Sequence, residues 1–263
     1  MAKVYYVGDW AVLTGPWFAE SPFQNAMKGV EIFNYGTWLK EALEAGGHAV
    51  ASVPSWDFYK LPPGAYERIL ADHDVIVFSD VEGKLFQLAP HFFDREKFGK
   101  AVLTFPDRMR LTIEAVRAGK GLMLLGGWYS FTGEQGKGGW GRTLLKDVMP
   151  VTCLDHEDLV ESTEGYHPRA TAAGTRRFAG IDLDGCPPIL GYNQVRVKPT
   201  AERLIDLAET GDPLLVLGRE GAGRILCYTS DPAPHWGCNI VFWEHYARFF
   251  SRALELVVPG AGT

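Results

Sequence analysis

Short apolar runs alternate with amphipathic stretches through the first half of this chain. Lys3–Val7 reads as a buried strand that ends at Gly8-Asp9. A loop rich in aromatics, Gly and Pro follows over 10–23. Ile32, Tyr35, Leu39, Ala42 and Leu43 then recur at helical spacing until Gly46-Gly47 stops them. His48–Val53 and Val75–Phe78 predict a second and a third strand, the latter ending at Ser79-Asp80. Pro106 opens a helix with Met109, Ile113 and Val116 on one face, closed by Gly119. Leu122–Leu125 is wholly apolar and bounded by glycines, the pattern of a strand covered on both faces. This rhythm predicts an α/β fold, a parallel sheet with helices on both sides.

After Pro150 the rhythm changes. Residues 151–212 hold short apolar runs such as Ile189–Leu190 and Val195–Val197 among scattered Pro and Gly. They predict a β-rich insertion within one domain spanning 1–263, not an independent domain. Leu214–Leu217 and Ile225–Thr229 flank a glycine-rich turn and predict a β-hairpin. The chain closes in a helix whose Phe242, Tyr246, Phe249, Phe250, Ala253 and Val257 form one apolar stripe.

In a sheet of this kind the carboxyl ends of the strands converge on one edge, where ligands bind. Four predicted ends are polar or glycine-rich: Gly8-Asp9, Ser79-Asp80, Gly126-Gly127 and Ser230-Asp231. Asp9, Asp80, Glu82 and Asp231 are therefore candidate catalytic carboxylates, although Asp also commonly caps a turn or helix. His235 follows a proline-stiffened Asp-Pro-Ala-Pro segment and suits a general base, with Asp231 or Glu244 as its partner. A structural histidine packed on Trp236 is the alternative. Gly126, Gly127, Trp128 and Tyr129 form a candidate ligand-binding turn, with the Gly127 and Trp128 amides as oxyanion donors. Trp10, Trp17, Phe18 and Phe23 could wall a pocket or form a subunit contact, which makes a homo-oligomer an expectation of the sequence.

Charge and composition narrow the partners. The net charge of −6 comes without a long basic run, so nucleic acid is not an expected partner. No secretory leader pattern is visible, and no apolar run nears the ~20 residues that cross a bilayer. A cytoplasmic location, away from membrane, follows as the expectation. Cys153, Cys186, Cys227 and Cys238 form no Cys-x-x-Cys pair, and only Cys238 lies near the His235 loop. Asp80, Glu82 and His91 match no zinc spacing, and Asp155-His156-Glu157-Asp158 reads as a solvated acidic loop. Gly133–Gly139 lacks both the Walker and the dinucleotide pattern. No metal and no cofactor are expected; the ligand is an unidentified small molecule.

Two blocks carry a family resemblance. One is Gly126-Gly127-Trp128-Tyr129-Ser130-Phe131 with Gly138-Gly139-Trp140-Gly141-Arg142-Thr143 and Val148-Met149-Pro150-Val151. The other runs from Pro213-Leu214-Leu215-Val216 through Gly221-Ala222-Gly223-Arg224 to Thr229-Ser230-Asp231-Pro232-Ala233-Pro234-His235-Trp236-Gly237. Together they resemble the class I glutamine amidotransferase-like group, and within it a branch called putative glutamine amidotransferases. The resemblance implies a flavodoxin-like open sheet. Active members of the group place a cysteine on the strand-to-helix elbow and a His-x-Glu pair after a late strand; neither is present here. The resemblance therefore implies a protein without glutaminase activity: a hydrolase or related enzyme on a small polar metabolite, or a catalytically silent binding or assembly module. Glutaminase chemistry through Cys238 is a third reading.

Overall fold

A computed structural model describes residues 1–18 and 25–260. Its strands are β1 (Lys3–Gly8), β2 (Trp10–Phe18), β3 (Asn25–Asn34), β4 (Ala49–Val53), β5 (Val75–Ser79), β6 (Gly121–Leu125), β7 (Val151–Cys153), β8 (Leu159–Tyr166), β9 (Pro168–Ala170), β10 (Ile189–Asn193), β11 (Val195–Val197), β12 (Glu202–Leu207), β13 (Pro213–Glu220) and β14 (Gly223–Tyr228). Its α-helices are α1 (Thr37–Ala45), α2 (Ser55–Tyr59), α3 (Ala65–Asp72), α4 (Arg95–Phe98), α5 (Arg108–Arg117), α6 (Leu145–Val148), α7 (Ala172–Arg177) and α8 (Tyr246–Glu255). An eight-stranded sheet runs β4-β1-β5-β6-β14-β13-β12-β9. The strands from β4 to β14 pair in parallel, and β13, β12 and β9 extend the sheet antiparallel. This is a mostly parallel α/β sheet.

The period of two along each central strand explains why both faces are covered. Tyr6, Val77, Met123 and Leu226 face one way, into a cluster with Leu39, Leu43, Phe250 and Leu254 of α1 and α8. Their neighbours Tyr5, Ile76, Leu122 and Ile225 face the other way and meet Tyr66, Leu70, Met109 and Ile113 of α3 and α5. Phe249 and Phe250 are buried, and truncating either to Ala costs about 3–5 kcal/mol. In α5, Asp107 accepts from the Arg110 amide and supplies the N-cap.

The structure departs from the hydrophobic pattern in three places. Residues 10–18, read as a loop, form β2, which pairs antiparallel with β3. Ile32 therefore sits in a strand, and the helix starts only at Thr37, because the chain up to Asn34 is paired in β3; Gly36, the N-cap, packs on the Tyr6 phenol. Phe23 lies outside the described residues, as do the side chains of Trp17 and Phe18. At the other end Phe242 precedes α8 and is 77% exposed, edge-on to Trp38, so it is not part of the buried stripe. Within 151–212, β9 and β12 join the main sheet, while β8–β10 and β7–β11 form separate antiparallel ribbons.

Strand order creates the site. The chain passes from β1 outward to β4, then crosses back to β5 on the other side of β1. The crevice of an open α/β sheet lies at such a reversal, outside the carboxyl ends of the strands. Here those ends are Gly8-Asp9 and Ser79-Asp80. At Gly8 (φ 122°) a Cβ would lie 1.7 Å from the Ser79 carbonyl oxygen, so only glycine lets the two ends approach this closely.

Candidate functional site

A cavity of about 810 Å³ opens at this edge. Asp9, Asp80, Glu82, Asp231 and His235 line it, with Trp10, Tyr35, Trp56, Tyr59, Trp128 and Tyr129 among its walls. It falls within the 300–1,000 Å³ range of small-molecule sites. Each candidate carboxylate thus lies on one surface, though they come from β1, β5 and the segment after β14. Gly126 and Gly127 lie behind that surface.

Backbone strain gathers in the same place. Asp9 (φ 54°), Asp80 (φ 51°) and His235 (φ 135°) are three of the five described non-glycine residues with positive φ. Asp tolerates the left-handed region through its short polar side chain. For His235 the conformation is costly, and such strain persists only where the surroundings over-determine it.

Burial biases the carboxyl groups toward their protonated forms. Asp9 accepts from the Tyr6 hydroxyl and from Ser79 Oγ (2.9 Å). Burial, reinforced by the Asp231 charge, pushes its pKa up to about 8 despite those donors. Asp80 Oδ1 accepts from the Tyr129 amide at 2.6 Å. Burial pushes Asp80 up to about 7; Asp9 and Glu82 add to the rise, while the Tyr129 amide and His235 oppose it. Asp231 accepts from the Ala233 amide at 2.9 Å, and burial followed by the Asp80 charge holds it well above the usual carboxylate range. Glu82 stands at the rim and pairs with Lys84 at 3.3 Å.

His235 is gripped from several sides. Its Nδ1 lies 3.4 Å from Asp231 Oδ2, and its Nε2 lies 3.7 Å from Glu161 Oε1. The ring stacks on Trp236 and meets Trp128 edge-on at 4.2 Å. Glu161 Oε1 also accepts from both indoles, Trp236 Nε1 at 2.7 Å and Trp128 Nε1 at 3.1 Å. Burial lowers the His235 pKa, and the charges of Glu161 and Asp80 partly restore it. Asp231, not Glu244, is its partner: Glu244 is 84% exposed and approaches His245 instead. Glu161 escaped sequence reading because β8 is short of apolar pattern and reaches the site only through its pairing with β10.

The elbow after β6 is a rigid support. Gly126 N–H donates to the Tyr228 and Ser230 carbonyls, and Gly127 N–H to Asn193 Oδ1 at 3.0 Å. The Gly127 amide is thus already engaged, which corrects its expected role as an oxyanion donor. Gly127 itself has φ 140°, and a Cβ there would lie 2.6 Å from Asp80 Oδ1. Ser130 is buried, donating to the Leu125 carbonyl and accepting from the Asp80 amide. Asp158 corrects the solvated-loop reading of 155–158: it is 2% exposed and accepts from the Thr132 and Gly133 amides and from Asn193 Nδ2.

No thiol lines the cavity. Burial pushes Cys153 and Cys186 up to about 12 and holds Cys227 well above the usual thiol range. Cys238 Sγ turns to Asn239 Oδ1 at 3.7 Å. His91 packs on Phe105, away from the cavity. Among the described residues no three His, Cys, Asp or Glu side chains come together to hold a metal ion, and no helix is long and apolar enough to cross a membrane.

Two solved structures share the fold closely. Cytoplasmic Protein STM3548 from Salmonella typhimurium is 27% identical, with a TM-score of 0.86 over 97% of this chain and 99% of its own. Cytoplasmic Protein STM1381 from Salmonella typhimurium LT2 is 29% identical, with a TM-score of 0.83 over the same shares. No curated protein matches the chain. Residues 23–259 match the family described as "Putative glutamine amidotransferase", which takes in β3, the whole parallel sheet beyond β1, and every candidate catalytic residue except Asp9, and the chain belongs to that family.

Proposed function

We propose that this protein is an acid–base enzyme, of hydrolase or related type, acting on a small polar molecule without a covalent thiol nucleophile. The observation that carries the reading is one cavity shared by an imidazole and carboxyl groups whose pKa values rise toward neutrality. His235, whose Nδ1 faces Asp231 and whose neutral form burial favours, would be the general base for an attacking water. A carboxyl kept protonated near neutral pH, Asp80 foremost, would supply the leaving group's proton. In this reading Glu82 is peripheral, Asp9 tunes Asp80, and Trp128 and Tyr129 contact the ligand. The lack of a cysteine on the turn after β6 supports a protein without glutaminase activity. We take the location to be cytoplasmic, as both Salmonella proteins are described.

The test is a metabolite screen by thermal shift on wild type and His235→Ala, followed by turnover assays on each stabilising compound. Turnover that disappears in the variant while binding persists supports the reading. A bound compound that is never transformed would sink it in favour of a silent module. One observation favours an assembly role in addition: Val12, Val30 and Ile32 on the β2–β3 ribbon are all exposed, and Val12 pairs directly with Ile32. Molar mass by light scattering, with Ile32→Glu as the control, tests whether that ribbon joins copies of the chain.

A further inference from the structure

We propose that the cavity binds a hydroxylated organic amine, a compound with an ammonium group and at least one hydroxyl. The proposal rests on reading this cavity as the functional site, and it names the ligand's chemistry. The charge balance of the walls is the starting point. Asp9, Asp80, Glu82 and Asp231 line the cavity, and among the described residues no Lys or Arg does. Carboxylates removed from water require a compensating positive partner or a proton. His235 is a weak candidate for that partner, since burial favours its neutral form. Protons supply that compensation in the free cavity, and a cationic ligand would take their place.

Three features decide which cation fits. A metal ion needs several ligands converging within about 2–2.5 Å of one point, and no such trio is assembled among the described residues. An ammonium carried on an organic frame is satisfied by looser contacts. The aromatic walls suit the same group: Trp10, Trp56 and Trp128 line the cavity, and indole rings attract cations and give apolar area to a carbon frame. The buried Trp10 Nε1–H, finally, has no hydrogen-bond partner among the described residues. A buried donor left unpaired costs stability unless an acceptor arrives. An ammonium cannot accept, whereas a hydroxyl on the same ligand would supply an acceptor for this donor. A phosphate or carboxylate would meet the acidic wall and is rejected.

Proton linkage gives the proposal a signature. Binding an ammonium favours the ionised carboxyls. Asp9 and Asp80, with pKa values about 8 and about 7, must then release protons when the ligand enters near pH 6. The groups facing them are Tyr6 and Ser79 on the sheet, Asp231 and His235 from the loop after β14, Tyr246 on α8, Glu82 at the rim and Glu161 from β8. Affinity should therefore rise with pH between about 6 and 8 as the carboxyls ionise.

Isothermal calorimetry on the full-length protein tests this with two matched sets: phenylalaninol, 3-phenyl-1,2-propanediol and phenyllactate; and glucosamine with glucose. The amine of at least one set should bind at least tenfold more tightly than its neutral and anionic counterparts, with proton release measured in buffers of different ionisation enthalpy. Asp80→Asn should weaken that binding at least tenfold. Glu82→Gln, at the rim and independent of the buried packing, should weaken it several-fold and keeps the test open if Asp80→Asn fails to fold. Preferential binding of a diol, glucose or phenyllactate, or no binding of either amine, overturns the proposal. The acid–base reading fails differently: an amine that binds and releases protons but is never transformed leaves this inference standing. His235-dependent turnover of a neutral compound would do the reverse.

Discussion

Asp80 has its two oxygens in different surroundings. Oδ1 accepts the Tyr129 amide, an arrangement the carbonyl of an asparagine can keep, while burial and neighbouring acids make the charge on the carboxylate costly. Because its folded pKa of about 7 stands above the value near 4 of an unfolded Asp, the folded state binds more protons across that interval. Its contribution to stability is full below about pH 4 and is lost as pH rises through about 7. Asp80→Asn should accordingly be more stable than wild type at pH 8, by on the order of 4 kcal/mol, and should show little advantage at pH 4. Urea denaturation at the two pH values reads this directly, and an equal effect at both would refute the buried, proton-bearing Asp80. At His235 the backbone and the ring can be separated by two substitutions. Alanine removes the ring and keeps the unfavourable φ of 135°, whereas glycine removes both. His235→Gly should exceed His235→Ala in stability by about 1 kcal/mol, and both should lack turnover. Equal stability of the two variants would mean that the loop relaxes once the imidazole is gone.

Single elements show what could be read from the chain and what could not. The core strands β1, β5 and β6 were legible because a strand covered on both faces must be almost wholly apolar, and their ends placed Asp9, Asp80 and Gly127 at one edge. The β2–β3 ribbon was not, since its Gly and Pro resemble a loop and its partner strand lies beyond a stretch of turn-forming residues. Glu161 and Asp158 were missed for a related reason: nothing local marks either as buried or bridging, and both act through β10, some thirty residues downstream. The β8–β10 ribbon therefore carries its own prediction. In Glu161→Gln the amide oxygen can still accept from the Trp128 and Trp236 indoles, but the charge that supports the imidazolium disappears. The His235 pKa should fall further, and the acid limb of any pH–rate profile should move to lower pH. An NMR titration of the imidazole measures the shift; an unchanged or higher pKa would show that Glu161 does not act on His235 electrostatically. For the β6 elbow, Gly127→Ala drives a Cβ against Asp80 Oδ1 at a φ that L-residues avoid. It should cost about 2–4 kcal/mol, and a variant with wild-type stability would contradict the packing of the elbow on Asp80.

At the scale of the whole molecule, membership of a family named for glutamine chemistry and the chemistry of this cavity point in different directions. Amidotransfer from glutamine needs an activated thiol and a pocket that tolerates the substrate's α-carboxylate. Two of the four thiols are buried and Cys153 is half-buried, all three with raised pKa values, and Cys238 lies outside the cavity. Among the described residues the acidic wall has no Lys or Arg to receive a carboxylate. These two obstacles are independent, one in the nucleophile and one in recognition, so restoring either alone should not restore the activity. Wild type incubated with glutamine should release no ammonia above background, Cys238→Ala should behave the same, and iodoacetamide should leave any turnover found in the metabolite screen unchanged. Glutamine-dependent ammonia release that iodoacetamide abolishes and Cys238→Ala lacks would overturn this view. It would require the loop after β14 to swing Cys238 into the crevice, breaking the His235–Asp231 and Trp236–Glu161 contacts that now hold the loop in place. If chemistry occurs at this edge, it should depend on protons moved among Asp80, Asp231 and His235.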